Sequence, residues 1–207
     1  MEIRYSYDVE RMEKYLRSYI AAHDMRQSSI ALDIAIRMHK GQTRVEGRPY
    51  VVHPMMIASH AIALGQEDDD LIAVMLLHDV CEDCGIEADE LSVNENVRHG
   101  VRCMTNARQE GESKADSMKR YMMQLRKSKE ACVAKLFDRC HNVSSMAGVF
   151  SVERMAAYIA ETKKYIYPLF DYVREEYDEY AKIIFALEYH MVSVIDGLEA
   201  GILAEQV

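Results

Sequence analysis

The sequence predicts an all-α fold built as a single domain. With 207 residues, 49% of them hydrophobic, the chain can bury one substantial core. It is poor in turn formers, with 9 Gly and 3 Pro, and rich in the helix-compatible residue Met, with 14. Apolar residues recur at helical spacing, and no stretch alternates as a β-strand would.

The first half of the chain predicts two helices followed by a loop. Helical periodicity covers residues 9–20 and resumes at residues 30–36, after a polar break at residues 27–29. Residues 41–50 hold two glycines, one proline and two arginines. They predict a surface loop, named here the basic loop.

Two further helices are predicted before residue 81. Pro54 suits the first turn of a helix that ends near Leu64. The carboxylates of residues 68–70 suit the positive start of another helix, which carries residues 71–80. His78 and Asp79 would then lie near the end of that helix.

The second half predicts four helical segments and no domain boundary. Ser113 could cap a helix through about Leu125, and residues 129–146, 152–172 and 178–204 show helical periodicity. No linker or repeat interrupts the chain, so we predict one domain over residues 1–207, with a core of roughly 27–150 and C-terminal helices over 152–204. The C-terminal helices could bury their apolar faces within a monomer or in a homo-oligomer.

Charge and composition argue against several classes of protein. A formal net charge of −9 disfavours general binding to nucleic acids or anionic membranes. No apolar run approaches the roughly 18 residues of a membrane span, and the first residues lack the layout of a secretory signal. We therefore expect a cytoplasmic protein with reduced thiols. The Cys81–Cys84 pair has no second pair to complete a zinc site, so we interpret it as incidental.

One segment places a histidine and three carboxylates directly behind an apolar run. His78 and Asp79 follow residues 73–77, and on a helix Glu82 and Asp83 would lie one turn further on. Such crowding of charge would be relieved by a shared cation. By contrast, the dipeptide His23–Asp24 follows no apolar run and is interpreted as surface.

Two more segments supply matching side chains. Lys135, Asp138 and Asn142 would share one side of a helix, where Lys135 could meet a phosphate. His53 precedes Pro54 directly after the basic loop.

Two imidazoles and two carboxylates are therefore candidate metal ligands, at His53, His78, Asp79 and Asp138. This donor set suits Mn²⁺, our first choice, or Fe²⁺ or Zn²⁺. Such an ion would activate water near neutral pH and neutralise charge on phosphorus.

The order His53, then His78–Asp79, then Asp138 resembles the H…HD…D signature of the HD superfamily of metal-dependent phosphohydrolases. The stretches around these residues, 39–44, 47–54, 76–83 and 135–142, are similar to the hydrolase domain of RelA/SpoT-type proteins, and a chain of this size resembles the small alarmone hydrolases. The resemblance implies a helical HD-type phosphohydrolase fold. It also implies that the 3′-pyrophosphate is removed from (p)ppGpp to give GTP or GDP.

The same resemblance implies roles for individual residues. Glu82 and Asp83 would activate or orient the attacking water. Arg37, Arg44, Lys135 and Asn142 would contact the nucleotide.

Two features depart from the resemblance and leave alternatives open. This chain has Arg37–Met38 where many relatives carry an arginine-lysine pair, and its loop from His39 to Gly47 is a little shorter. The substrate could be another phosphorylated nucleotide, such as ppApp, NADPH or a nucleoside phosphate. A nucleotide-binding or antitoxin-like protein with little turnover is a third hypothesis, against which the intact pair of Glu82 and Asp83 argues.

Overall fold

The computed structural model describes residues 8–107 and 109–204, and within these ranges it is helical. An isolated β-bridge joins Thr43 to Pro49 in the basic loop. The predicted all-α fold is confirmed. The helices are α1 (Val9–Ala22), α2 (Arg26–Met38), α3 (Val52–Ala63), α4 (Asp69–Leu77), α5 (Val80–Cys84), α6 (Glu95–Met104), α7 (Lys114–Leu125), α8 (Lys129–Ser145), α9 (Val152–Glu161), α10 (Tyr167–Glu176) and α11 (Ala181–Ala204). None of these helices is long and apolar enough to cross a membrane.

The chain forms two compact units, which divide between Thr105 and Asn106. The first unit contains α1 to α6 and the second contains α7 to α11. The single domain over residues 1–207 stays a prediction.

Helix α4 is the centre of the first unit. All seven residues from Leu71 to Leu77 are fully buried, and the helix packs against α2, α3 and α6. A helix that is apolar on every side must be surrounded by others, because no face of it can be exposed to water without cost. Helix α4 ends directly before His78.

The start of α2 differs from the prediction. The polar residues expected to break the helix lie in its first turn, which begins at Arg26. The carboxylate of Asp69, from the start of α4, accepts hydrogen bonds from the backbone N–H groups of Gln27 and Ser28, both at 2.7 Å. Since these N–H groups have no partner within the helix, the distant carboxylate caps α2 and lets it start earlier.

The segment around His78 also differs from the prediction. Instead of one helix over residues 71–80, α4 ends at Leu77 and α5 begins at Val80. His78 and Asp79 form the break, although both keep right-handed helical dihedral angles. The one-turn relation between Asp79 and Asp83 survives, because the N–H of Asp83 donates to the carbonyl of Asp79 at 2.9 Å.

Helix α6 was not predicted, although the sequence carries its signals. The side chain of Asn94 caps it by accepting from the N–H of Val97 at 2.9 Å. Val97, Val101 and Met104 are buried, at the spacing of one helical face.

In the second unit, α8 is largely buried and packs against α7, α10 and α11. Ser113 and Ser128 cap α7 and α8 through their hydroxyl groups, and the first of these caps was predicted. The predicted helix over residues 152–172 is continuous but contains a wider turn, a π-helix over Thr162–Ile166. There the N–H of Tyr167 donates to the carbonyl of Thr162, five residues back.

Candidate metal centre

Three of the four predicted metal ligands lie in the first unit and meet there. The Nε2 atoms of His53 and His78 are 3.2 Å apart. The Oδ2 atom of Asp79 lies 2.9 Å from Nε2 of His78 and 3.6 Å from Nε2 of His53. Both imidazoles are 2% exposed, so this cluster is almost closed to solvent on the histidine side.

The local fold explains why these side chains converge. His53 lies in the first turn of α3, and its N–H donates to the carbonyl of Tyr50 at the end of the basic loop. His78 follows the buried helix α4, which packs against α3. The structure therefore places His53 at the start of a helix, as predicted.

The tautomer of His78 suits a metal ligand. Its Nδ1 lies 2.8 Å from the carbonyl oxygen of Met75, which can only accept a hydrogen bond. Nδ1 therefore donates its proton to that carbonyl, and in the neutral imidazole this leaves the lone pair on Nε2. That lone pair points to the nitrogen of His53 and the carboxylate of Asp79, where a cation would be held.

The spacing of the three atoms fits one metal ion. Ligand atoms about 2.0–2.2 Å from a metal are separated by about 2.8–3.6 Å at octahedral or tetrahedral angles. The observed separations of 2.9, 3.2 and 3.6 Å match this range. Imidazole nitrogen and carboxylate oxygen are together ligands of Mn²⁺, Fe²⁺ and Zn²⁺.

A further residue in the cluster was missed by the sequence analysis. The hydroxyl of Tyr50 donates to Oδ2 of Asp79 at 2.6 Å. Burial, and after it the negative charge of Asp79, raises the pKa of Tyr50 well above its usual range, so the hydroxyl keeps its proton. Only its place before His53 in the predicted loop motif could have drawn attention to Tyr50.

The predicted water-activating residues lie next to the cluster. Glu82 and Asp83 are exposed on α5, in the turn after Asp79. The negative charge of Asp83 also helps to raise the pKa of the Tyr50 hydroxyl. The two carboxylates are thus accessible to a substrate and to water.

The two predicted nucleotide contacts of the first unit lie in different surroundings. Arg37 is exposed in the last turn of α2. Arg44 is half-buried in the basic loop, with its Nε 3.2 Å from Oε1 of Glu46 and its guanidinium 5.9 Å from the centre of the Tyr50 ring.

In the second unit, the structure brings Lys135, Asp138 and Asn142 together on α8. Nζ of Lys135 donates to Oδ2 of Asp138 at 2.8 Å, and Nδ2 of Asn142 donates to Oδ1 at 2.6 Å. Burial lowers the pKa of Lys135, but the negative charge and hydrogen bond of Asp138, together with Tyr121, outweigh burial and raise that pKa. Asp138 is 5% exposed and accepts a hydrogen bond from a cation on one oxygen and from an amide on the other.

The cysteines agree with the prediction of reduced thiols. Within the described residues none of the five forms a disulfide, and Cys103, Cys132 and Cys140 are buried. Burial raises the pKa of Cys81 to about 11 and also raises that of Cys84. Both groups are therefore thiols rather than reactive thiolates near neutral pH.

Comparison with known proteins places this geometry in a family. A family model described as HD domain matches residues 31–170, a range that includes His53, His78, Asp79 and Asp138. The chain belongs to the HD domain family. Membership implies a divalent metal ion, for which the His53, His78 and Asp79 cluster offers ligands of the right kind.

This HD domain is similar to part of several longer proteins. A probable guanosine-3′,5′-bis(diphosphate) 3′-pyrophosphohydrolase of Synechocystis is 30% identical over 67% of this chain and 19% of its own length. The corresponding pyrophosphohydrolase of Vibrio cholerae is 29% identical over 77% of this chain and 21% of its own. A GTP pyrophosphokinase of Streptomyces coelicolor is 30% identical over 61% of this chain and 16% of its own. The chain thus spans about a fifth of the length of these relatives.

A solved structure supports the HD-type fold. It is that of a metazoan orthologue of SpoT that hydrolyses ppGpp, and it matches 83% of this chain and 95% of its own with a TM-score of 0.65. Sequence identity over the match is 21%, so this likeness concerns the fold.

Proposed function

We propose that this HD domain hydrolyses guanosine alarmones, converting (p)ppGpp to GTP or GDP and pyrophosphate. The observation that carries the proposal is the cluster of His53, His78 and Asp79, with two exposed carboxylates one turn further on. It occurs in an HD domain whose relatives include proteins named as pyrophosphohydrolases of this nucleotide.

The proposed metal ligands are His53, His78, Asp79 and Asp138, with Mn²⁺ as the first choice. The first three are supported by their separations and by the tautomer of His78. Asp138 is supported by its place in the H…HD…D order and by its ionised, hydrogen-bonded state. A bound divalent cation supplies a Lewis acid, which stabilises charge that develops on phosphorus and eases deprotonation of water.

The remaining residues would handle the proton and the substrate. Water attacks the phosphorus atom attached to the 3′ oxygen. The bond between that phosphorus and the 3′ oxygen breaks, and pyrophosphate leaves. Glu82 or Asp83 accepts a proton from the attacking water, and a proton is returned to the 3′ oxygen of the nucleoside. Arg37, Arg44, Lys135 and Asn142 would offset the charge of the phosphates or bind the nucleotide.

The test is an assay of metal-depleted protein reconstituted with Mn²⁺. It is presented with ppGpp, pppGpp, ppApp, NADPH and ordinary nucleotides, and pyrophosphate and phosphate are measured separately. We expect pyrophosphate from ppGpp and pppGpp. If only other nucleotides are hydrolysed, the proposal of a hydrolase stands but the proposal of an alarmone substrate is contradicted. If folded, metal-loaded protein releases neither pyrophosphate nor phosphate from any nucleotide of the panel, hydrolysis is contradicted altogether.

The chain contains its own matched control. His78→Ala should abolish pyrophosphate release, whereas His23→Ala should not alter it. His23 precedes an aspartate, as His78 does, but it is exposed at the end of α1 and stacks on Tyr19 with ring centres 3.9 Å apart. Glu82→Gln with Asp83→Asn should likewise abolish turnover, and a protein that only sequestered nucleotide would keep its effect with both changes.

A further inference from the structure

Tyr50 occupies a fixed position beside the metal cluster. Its N–H donates to the carbonyl of Gln42 at 2.9 Å, and the N–H of Arg44 donates to the carbonyl of Arg48 at 2.8 Å, which closes the basic loop into a narrow turn. Gly47, with φ of +80°, makes that turn possible. The end of the loop is thereby tied to its beginning, directly before α3.

The ring of Tyr50 is held from two sides by histidines. It stacks on His39 with ring centres 4.7 Å apart and meets His53 edge to face with centres 6.0 Å apart. His39 is itself buried, and its Nδ1 lies 2.7 Å from the side-chain oxygen of Gln42. These contacts leave the ring one orientation, in which its hydroxyl reaches Asp79.

The hydroxyl contacts the atom of Asp79 that the metal would use. It donates to Oδ2 at 2.6 Å, and the same oxygen lies 2.9 Å from Nε2 of His78. A carboxylate oxygen has two lone pairs. If one accepts from Tyr50, the other is directed to the space shared with the two imidazoles.

We propose that Tyr50 is a positioning residue that orients Asp79 for metal binding. Carboxylates that bind metals are themselves hydrogen-bonded, and the loss of such a partner weakens metal binding about 10–100-fold. The inference rests on the metal centre of the proposed function, but not on its nucleotide substrate.

The first test is the affinity of the metal-depleted full chain for Mn²⁺, measured by titration calorimetry. Tyr50→Phe keeps both ring contacts and removes only the hydroxyl, so we expect binding about 10–100-fold weaker than in the unaltered protein. Tyr172→Phe is the matched control, because its hydroxyl donates only a long bond of 3.4 Å to the carbonyl of Arg126 on the second unit. An unchanged Mn²⁺ affinity of Tyr50→Phe would overturn the inference.

A second measurement separates positioning from general damage to the fold. With Co²⁺ as the metal, Tyr50→Phe should shift the visible absorption spectrum, because a ligand of the metal is reoriented, and Tyr172→Phe should not. Excess Mn²⁺ should restore the turnover of Tyr50→Phe, which it could not do for a misfolded protein. An unchanged Co²⁺ spectrum, or activity that no Mn²⁺ concentration restores, would count against the role.

The outcomes also separate this inference from the proposed function. If the unaltered protein binds Mn²⁺ but leaves ppGpp intact, the proposed function fails. The role of Tyr50 is then still tested by the Mn²⁺ affinity of Tyr50→Phe. If the unaltered protein binds none of Mn²⁺, Fe²⁺ or Zn²⁺, both fail.

Discussion

Lys135 keeps its charge through its neighbours, chiefly Asp138. The ammonium group is largely buried, and its partner Asp138 is 5% exposed and lies 2.8 Å away. Lys135 also lies 5.4 Å from the centre of the Tyr121 ring, whose π face favours a cation. The ion pair is therefore tolerated in this buried position, whereas either charge without its partner would destabilise the fold.

We expect Asp138→Ala to lower the free energy of unfolding by about 3 kcal/mol, because it leaves a buried ammonium group without its counter-ion. Adding Lys135→Met should recover much of that loss, since the second change removes the isolated charge. Urea unfolding of the metal-free single and double variants measures both effects. A double variant as unstable as the sum of the two single variants would contradict this account of the pair.

The proximity of three candidate ligands could be anticipated from the sequence, whereas their role as metal ligands stays a prediction. His53, His78 and Asp79 were found because each stands next to a strong signal, namely a proline at a helix start or a long apolar run. Tyr50 could not be found in this way. Its contact with Asp79 depends on how the basic loop folds back on itself, and loop geometry leaves little trace in residue periodicity.

At the scale of helices, α2 and α4 depend on each other at their starts. Both oxygens of Asp69 accept from the first turn of α2, and the hydroxyl of Ser28 donates in return to the carbonyl of Asp69 at 3.0 Å. One carboxylate therefore serves as the cap of a helix that begins some forty residues earlier in the chain.

Asp69→Ala should lower the free energy of unfolding by about 1–2 kcal/mol, the usual cost of losing a helix cap. Asp69→Asn should cost less, because its remaining side-chain oxygen still accepts one of the bonds. Asp196→Ala is the control, since that aspartate is exposed on α11 and should change stability little. The comparison is made by chemical denaturation of metal-free protein. Equal stabilities of the Asp69→Ala and Asp196→Ala variants would refute the capping role.

The same contact explains why one helix start was predicted wrongly. Residues 27–29 suggest a break because polar side chains interrupt the apolar period. The cap comes from Asp69, which periodicity within α2 cannot reveal. Ser113, by contrast, caps the helix that directly follows it, and the start of α7 was predicted correctly.

At the scale of the whole molecule, metal binding should stabilise the folded chain. The three ligand atoms of the first unit come from α3 and from the break between α4 and α5, and they are close together only when the chain is folded. A ligand that binds the folded state alone adds about 2.7 kcal/mol when present at 100 times its dissociation constant.

Mn²⁺ at that concentration should raise the Tm of metal-depleted protein by roughly 5–10 °C, as expected for a chain of this size. Calorimetry or circular dichroism measures the shift, and a chelator should reverse it. Ca²⁺ at equal concentration should have a much smaller effect, because it prefers oxygen ligands to imidazole. A similar shift with Ca²⁺, or in His78→Ala with Mn²⁺, would show that the stabilisation comes from another site.

Fold class was the easiest property of the whole chain to predict. Few glycines and prolines, together with apolar residues at helical spacing, leave helices as the only regular structure that can bury so much apolar surface. The limits of individual helices were harder, as the break at His78 and Asp79 shows. There both residues keep right-handed helical dihedral angles, and the residue pattern gives no sign of the break.

The π-helix at Thr162–Ile166 has a consequence for how the chain tolerates insertions. One extra residue inside an α-helix would rotate everything beyond it by about 100° and turn its buried face to solvent. A π-turn absorbs that residue locally, so Ile159 before it and Leu169, Phe170 and Val173 after it all stay buried. At this segment, HD domain sequences could therefore differ by one inserted or deleted residue without loss of the fold. Such a difference would be visible as a one-residue gap in a sequence alignment.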